Sequence, residues 1–338
     1  MENILSLIGL GLICSFFTYI LIFWWIKSAR QMKFVGRDMN KFNRPVVAES
    51  GGLPVVFGIS FALLLYIFVK VFYLKNTEHV IESFAILTSV LLACLLGFID
   101  DILGWKIGLR IWQKVIFTFP VAIPLMVVDA GHSIASIPFF GPVEFGLLYP
   151  LVIIPIAIIG AANGFNMLAG YNGLEVSLGL IILGTLSVVA AITDNLWLAF
   201  IGALICVILF AFLIFNWYPA KIFPGDSFTH SVGALIAIFA ILGDMEKVAV
   251  FLFFPYFIDA FLQIKGLVVD RSGLVEAFGK PNESDRLVTP RKKSYKVSHI
   301  IIKLLNKFKG SAYEKDVVWS FISFELFLAI IAVIIVLV

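Results

Sequence analysis

Apolar runs long enough to cross a bilayer recur along this chain, separated by short polar islands. A bilayer-spanning helix needs roughly 17 to 25 predominantly apolar residues. Such runs fall near 4–26, 53–74, 82–99, 111–128, 147–162, 174–193, 196–215, 228–242, 248–264 and 317–338. They predict an all-α polytopic membrane protein of about ten transmembrane helices, one integral membrane domain over 1–338 with a polar loop, 265–316, inside it. Segment 129–146 carries no Lys or Arg and holds Pro138, Gly141 and Pro142 among apolar residues, which predicts an outward-facing hairpin or re-entrant loop. No internal repeat is visible, which disfavours transporter folds built from inverted halves.

Charge then orients the helices. Connections after the first, third, fifth, seventh and ninth runs hold 6, 2, 0, 1 and 12 Lys or Arg, whereas the others hold only Lys75 and Lys247. Basic residues stay on the cytoplasmic side. The odd connections, including 265–316, are therefore expected in the cytoplasm and both termini outside it. Lys27, Arg30 and Lys33 follow the first run and read as a cytoplasmic anchor, not as part of a signal peptide.

Composition narrows the function classes. Hydrophobic residues make up 61% of 338 and charged residues 14%, with a mean hydropathy of +1.04, which excludes a water-soluble core of this size. A net charge of +3 with no zinc-finger or RNA-binding pattern argues against nucleic acid. Cys14, Cys94 and Cys206 all lie in apolar runs, and the four His are widely separated, so neither disulfides nor a zinc site are expected.

Four polar clusters sit at the expected cytoplasmic ends of the runs. Asp100-Asp101 closes the third run; adjacent carboxylates repel unless a cation offsets them, which invites Mg²⁺ or a phosphate-bound metal, or they simply mark a helix end. Asn163 and Asn166 lie three apart and share a helical face, and amide oxygens suit a metal already neutralised by phosphate. Downstream, Gly170 and Gly173 flank Asn172 and allow the backbone to turn and approach a flat ligand, although Asn-Gly pairs are also ordinary turn chemistry. Phe223-Pro224-Gly225-Asp226 enters the eighth run, where the acid is a helix cap or a site residue. The stretch Gly36-Arg37-Asp38-Met39-Asn40-Lys41, continuing to Glu49-Ser50-Gly51-Gly52, is a solvated linker or a backbone approach to a ligand.

Taken as an ordered set, these runs resemble the polyprenyl-phosphate N-acetylhexosamine-1-phosphate transferase family, most closely its eukaryotic and archaeal branch, which uses UDP-GlcNAc and dolichyl phosphate. The resemblance covers nearly the whole chain. It implies a cytoplasmic-face active site that joins a sugar 1-phosphate from a UDP-sugar to a polyprenyl phosphate lipid and releases UMP, with Mg²⁺, or Mn²⁺ in its place, as cofactor. Asp100 and Asp101 match the family's catalytic paired acids, with Asp100 deprotonating or positioning the lipid phosphate. Asn166 and Asp226 match its metal ligands. Gly170 and Phe223 would sandwich the uracil, Asn172 would hydrogen-bond it, Met39 and Glu49 would touch the nucleotide, and Asn163 would join the substrate-binding set. Lys114, or alternatively Arg110, would meet the lipid phosphate. The His-rich or Arg-His-Arg motif of relatives is missing from 265–316, where Arg271, Arg286 and Arg291 stand as candidates for gripping the pyrophosphate. The membrane would be the plasma membrane of a prokaryote or the endoplasmic reticulum of a eukaryote, and a homodimer is compatible.

A transporter or lipid flippase is the alternative, and its mark would be ionisable groups near the bilayer midplane. Asp259 and Glu325 are the only acids well inside runs; Asp259 lies about 7.5 Å of helix from the cytoplasmic end, and Glu325 lies deeper. An intramembrane aspartyl protease is disfavoured because Phe223 stands where a Gly-x-Gly-Asp motif needs its first glycine.

Overall fold

A computed structural model describes residues 4–128, 134–137, 141–269, 275 and 277–337. Long helices dominate: α1 (Ile4–Gln31), α2 (Gly52–Phe68), α3 (Val80–Ile107), α4 (Ile111–Val127), α5 (Ile154–Met167), α6 (Leu174–Ile192), α7 (Leu196–Asn216), α8 (Gly225–Leu242), α9 (Glu246–Leu252), α10 (Phe254–Val268), α11 (Val297–Phe308) and α12 (Glu314–Leu337). Among the described residues, eight helices are long and apolar enough to cross a membrane. A ninth span results if α9 and α10, bent by 56° at Phe253, count as one. Pro255 at the start of α10 supplies the reason for that break, since proline lacks an N–H for the preceding turn. The fourth apolar run forms the shorter helix Trp112–Val127, which carries Pro120 and Pro124. The protein is thus a polytopic, helical, integral membrane protein.

At the centre stands α8, buried along almost its whole length. It packs most extensively against α3 and α5. Gly97 of α3 makes that approach close: a Cβ there would fall 2.2 Å from the Asp226 carbonyl oxygen. In a bilayer, where burial of apolar surface between helices gains little, such small-residue contacts are what allow helices to associate. The result brings the ends of α3 and α8 together, and with them their acids.

Two short strand pairs, within 35–48 and 280–288, frame the same end of the bundle. The antiparallel pair β1 (Val35–Arg37) and β2 (Val46–Ala48) forms the connection between α1 and α2. Ile222 pairs with Ala48 as a parallel bridge, and Phe223 N donates to Ala48 O at 2.8 Å. Residues 134–137 and 141–144 form an antiparallel pair, β3 and β4, within the segment expected as a hairpin. The island 265–316 contains β5 (Lys280–Pro281), β6 (Leu287–Val288) and α11. Lys296 ties it to the bundle, its Nζ donating to Met167 O at 2.8 Å and to Asp259 Oδ2 at 2.9 Å. Asp259 Oδ1 also accepts from Val297 N at 2.8 Å, at the start of α11. This acid, a marker for the transporter reading, serves as an anchor for the loop.

Candidate active site

The two adjacent acids of α3 do different things. Asp101 reaches across to the start of α8, where the first N–H groups of any helix lack partners. Its Oδ1 accepts from Asp226 N at 2.6 Å, and its Oδ2 from Ser227 N at 3.2 Å, Ser227 Oγ at 2.8 Å and Ser50 Oγ at 2.6 Å. Pro224, the capping position of α8, offers no side-chain hydrogen bond of its own. Asp101 therefore caps α8 from another helix, and the Asp226 side chain is released from that task. Asp100 turns the other way: its Oδ1 accepts from Leu109 N at 2.5 Å and its Oδ2 lies 2.6 Å from Lys114 Nζ.

Lys114 is the hub. Its ammonium lies 2.6 Å from Asp226 Oδ2 as well as from Asp100 Oδ2, so one cation bridges α3 and α8 from α4. Arg110, the other candidate, is exposed at the start of α4. Asn166 joins from α5, with its Nδ2 donating to Asp226 Oδ2 at 3.3 Å and its Oδ1 accepting from Thr229 Oγ1 at 3.0 Å.

Beside this cluster opens a cavity of about 240 Å³ that gathers Met39, Asn166, Gly170, Asn172, Phe223 and Asp226 from the expected residues. Phe223 is fixed by backbone bonds on both sides, to Ala48 O and from Gly51 N, each at 2.8 Å. Gly170 has φ +125°, and a Cβ there would lie 2.8 Å from the Phe278 ring. Only glycine suits both constraints. Glu49 is half-buried and does not line this cavity, and its carboxyl is pushed up to about 6 by burial and by the Asp101 and Asp226 carboxylates.

Other expected residues lie elsewhere. Asn163 spends its amide on Ile159 O at 2.9 Å and Thr118 Oγ1 at 3.3 Å, away from the cavity. Arg286 is exposed, its Nε donating to Tyr313 OH at 3.2 Å. Arg291 lines a neighbouring cavity of about 650 Å³ together with Arg44 and Lys280, and the two cavities share Met39 and Phe278. Arg271 lies outside the described residues.

Four cavity-side residues escaped the sequence reading. Phe278 covers the cavity from the 265–316 island. Asp38, Lys41 and Glu314 form a buried ionic cluster: Lys41 Nζ contacts Asp38 Oδ2 and lies 3.2 Å from Glu314 Oε2. Burial alone would weaken the hold of Lys41 on its proton, but Glu314 and Asp38 outweigh it and raise its pKa. The available signal was the acid–base alternation Asp38–Lys41, which resembles any solvated loop.

The residues present fit a divalent metal in part. Asp226 and Asn166 supply a carboxylate and an amide, the hard oxygen donors that Mg²⁺ takes alongside water and phosphate oxygens. Lys114 lies on the same carboxylate oxygen as a positive charge would. The Asn166 oxygen that now holds Thr229 would turn towards the ion by rotation of the amide.

Polar groups of opposite charge thus converge at the ends of apolar helices, beside a cavity. Residues 83–244, which contain most of that cluster, match glycosyl transferase family 4. A Saccharolobus solfataricus protein, provisionally named a UDP-N-acetylglucosamine–dolichyl-phosphate N-acetylglucosaminephosphotransferase, is 37% identical over 337 residues, covering 98% of this chain and 97% of its own. The Dictyostelium discoideum protein with the same enzyme name is 28% identical over 272 residues, 68% of this chain and 64% of its own. A phospho-N-acetylmuramoyl-pentapeptide-transferase of Borrelia garinii is 30% identical over 231 residues, 59% and 63%. The chain belongs to glycosyl transferase family 4.

Proposed function

We propose that this protein transfers N-acetylglucosamine 1-phosphate from UDP-GlcNAc to a dolichyl-type polyprenyl phosphate, releasing UMP and forming the lipid pyrophosphoryl sugar. The observation that carries this reading is the Lys114 ammonium, 2.6 Å from both Asp100 and Asp226 at the ends of apolar helices, beside a cavity walled by Phe223 and Asn172. Such a place lets a soluble nucleotide sugar meet a lipid whose phosphate lies at headgroup level. The names of the relatives point the same way.

Phosphoryl transfer depends chiefly on positioning and charge neutralisation. An oxygen of the lipid phosphate bonds to the β-phosphorus of the donor, and the bond from that phosphorus to the bridging oxygen breaks, leaving UMP. Lys114 receives the incoming lipid phosphate, drawing it into line. Asp100, paired with Lys114, holds that ammonium in place and accepts a proton from a protonated lipid phosphate. Asp226 and Asn166 would hold Mg²⁺, which would supply positive charge against the phosphates. Phe223 and Gly170 enclose the uracil. The site faces the cytoplasm, with Arg291 as the candidate in the island for the pyrophosphate. The membrane is the plasma membrane in a prokaryote and the endoplasmic reticulum in a eukaryote.

A panel of UDP-sugars crossed with polyprenyl phosphates, read by UMP release from purified protein, tests the proposal. UMP should form with UDP-GlcNAc and a dolichyl-type phosphate, and only when both are present. Failure of every UDP-N-acetylhexosamine to yield UMP would refute it.

A further inference from the structure

The buried ionic cluster has a geometry that bears on nucleobase choice. Asp38, in the connection after β1, is 2% exposed. Its Oδ2 accepts from Asn172 Nδ2 at 3.0 Å and is paired with Lys41 Nζ, while its Oδ1 accepts from Asn40 N at 3.2 Å. Asn172 is gripped a second time through its backbone, whose N–H donates to Glu314 Oε1 at 2.8 Å. Lys41 joins the two carboxylates. Asn40 adds a brace by donating its Nδ2 to Gly170 O at 2.7 Å. Three chain segments, far apart in sequence, thus converge on one amide in the cavity wall.

An asparagine amide can present either a donor or an acceptor, and rotation by a half turn exchanges them. Here a carboxylate, which can only accept, claims the amide nitrogen. The group that Asn172 retains for a ligand is its carbonyl oxygen, an acceptor. The two pyrimidine bases differ at the matching edge. Uracil carries an N3–H donor between two carbonyls, whereas cytosine carries a bare N3 lone pair, which a fixed acceptor repels.

Resting on the uridine-nucleotide reading of this cavity, we propose that Asp38 is a positioning residue that sets the base specificity of the site by locking the Asn172 amide with its oxygen towards the ligand. Lys41 pairs with both Asp38 and Glu314 and offsets one of their two negative charges. Loss of the lock lets the amide rotate and removes the distinction between an N–H and a lone pair, leaving the stacking surfaces in place.

The test compares UMP and CMP binding by calorimetry on the purified full-length protein. The wild type should prefer UMP by at least about tenfold, the ratio that roughly one hydrogen bond confers. In Asp38→Asn the facing group both donates and accepts, and that preference should fall about tenfold. The exchange Asp38→Asn with Asn172→Asp keeps the net charge and again leaves an acceptor towards the ligand, so it should restore the preference. Glu314→Gln leaves the Asp38–Asn172 contact intact and should keep the preference even where overall affinity falls. Equal weakening of UMP and CMP in Asp38→Asn, with the preference preserved, would overturn the role of Asp38 alone. If Asp38→Asn does not fold, the exchanged pair decides: a folded exchange variant without UMP preference overturns the proposal. A wild type that does not distinguish the two nucleotides would count against the uridine reading and the inference together.

Discussion

Asp101 caps the backbone of Asp226: its carboxylate accepts the Asp226 N–H at 2.6 Å, while the Asp226 side chain turns to Lys114, also at 2.6 Å. A helix-start acid commonly spends its side chain on its own helix. Here an acid of α3 performs that service from 125 positions away, and the Asp226 side chain is left for Lys114 and Asn166. Adjacent in sequence, Asp100 and Asp101 consequently meet different partners, Asp100 the Lys114 ammonium and Asp101 the start of α8.

That division sets the first expectation. Asp101→Ala removes four hydrogen bonds and leaves buried donors at the start of α8 without partners, so stability should fall by roughly 2 kcal/mol or more. Asp100→Ala should melt closer to the wild type yet lose turnover by about two orders of magnitude or more, as loss of a transition-state contact does. Melting curves in detergent, run beside activity, check both. A lower melting temperature for Asp100→Ala than for Asp101→Ala would reverse the assignment.

Activity is expected to require Mg²⁺ or Mn²⁺, because Asp226 and Asn166 are hard oxygen donors and both substrates carry phosphate. Excess EDTA should abolish turnover and added Mg²⁺ restore it. Asp226→Ala should stay folded, since Asp101 and not Asp226 caps α8, but should not be rescued by metal. Full turnover in EDTA would remove the metal from the mechanism.

Phe223 is held rigidly by backbone bonds to Ala48 and Gly51. Stacking of a base on an aromatic ring contributes roughly 1 to 3 kcal/mol, so Phe223→Ala should weaken UDP-sugar binding about five- to 150-fold. The apparent affinity for the lipid phosphate should change little. Equal losses for both substrates would reduce Phe223 to a packing residue.

Much of this was legible in the sequence, and the part that was not has a physical reason. Apolar runs declare themselves because the bilayer imposes a length on each. The bend at Phe253 did not, since hydropathy carries no angle. Asn166, Phe223 and Asp226 belong to the ordered set of motifs, Lys114 stands as a candidate with Arg110 as its alternative, and the fold brings Lys114 and not Arg110 to the other three. The separate fate of Asp101 could not be read, because capping depends on a partner distant in sequence. Asp38, Lys41 and Glu314 looked like solvated loop charges, and only burial against Asn172 gives them meaning. Asn163 shares a helical face with Asn166, but its amide is consumed by Thr118 and Ile159.

Glu49 gives a pH signature. Its carboxyl is pushed up from 4.5 to about 6, so the folded protein binds this proton more tightly than the unfolded chain does. Stability from this group is full below about pH 4.5, declines as the pH rises through 6, and stays low above that. Glu49→Gln should therefore melt above the wild type at pH 8, with the difference vanishing at pH 4. A difference that does not change with pH would show that the Glu49 carboxyl is not perturbed.

The most direct measurement follows the two phosphorus atoms of the donor. Purified protein is given UDP-GlcNAc labelled on the β-phosphate, a dolichyl-type phosphate and Mg²⁺, and the label is located after turnover. The expected result is label in the lipid fraction with one unlabelled UMP released per labelled lipid, because the bond broken lies between the two donor phosphates. Label retained in UDP, with only sugar reaching the lipid, would contradict phosphosugar transfer, as would intact donor recovered unchanged.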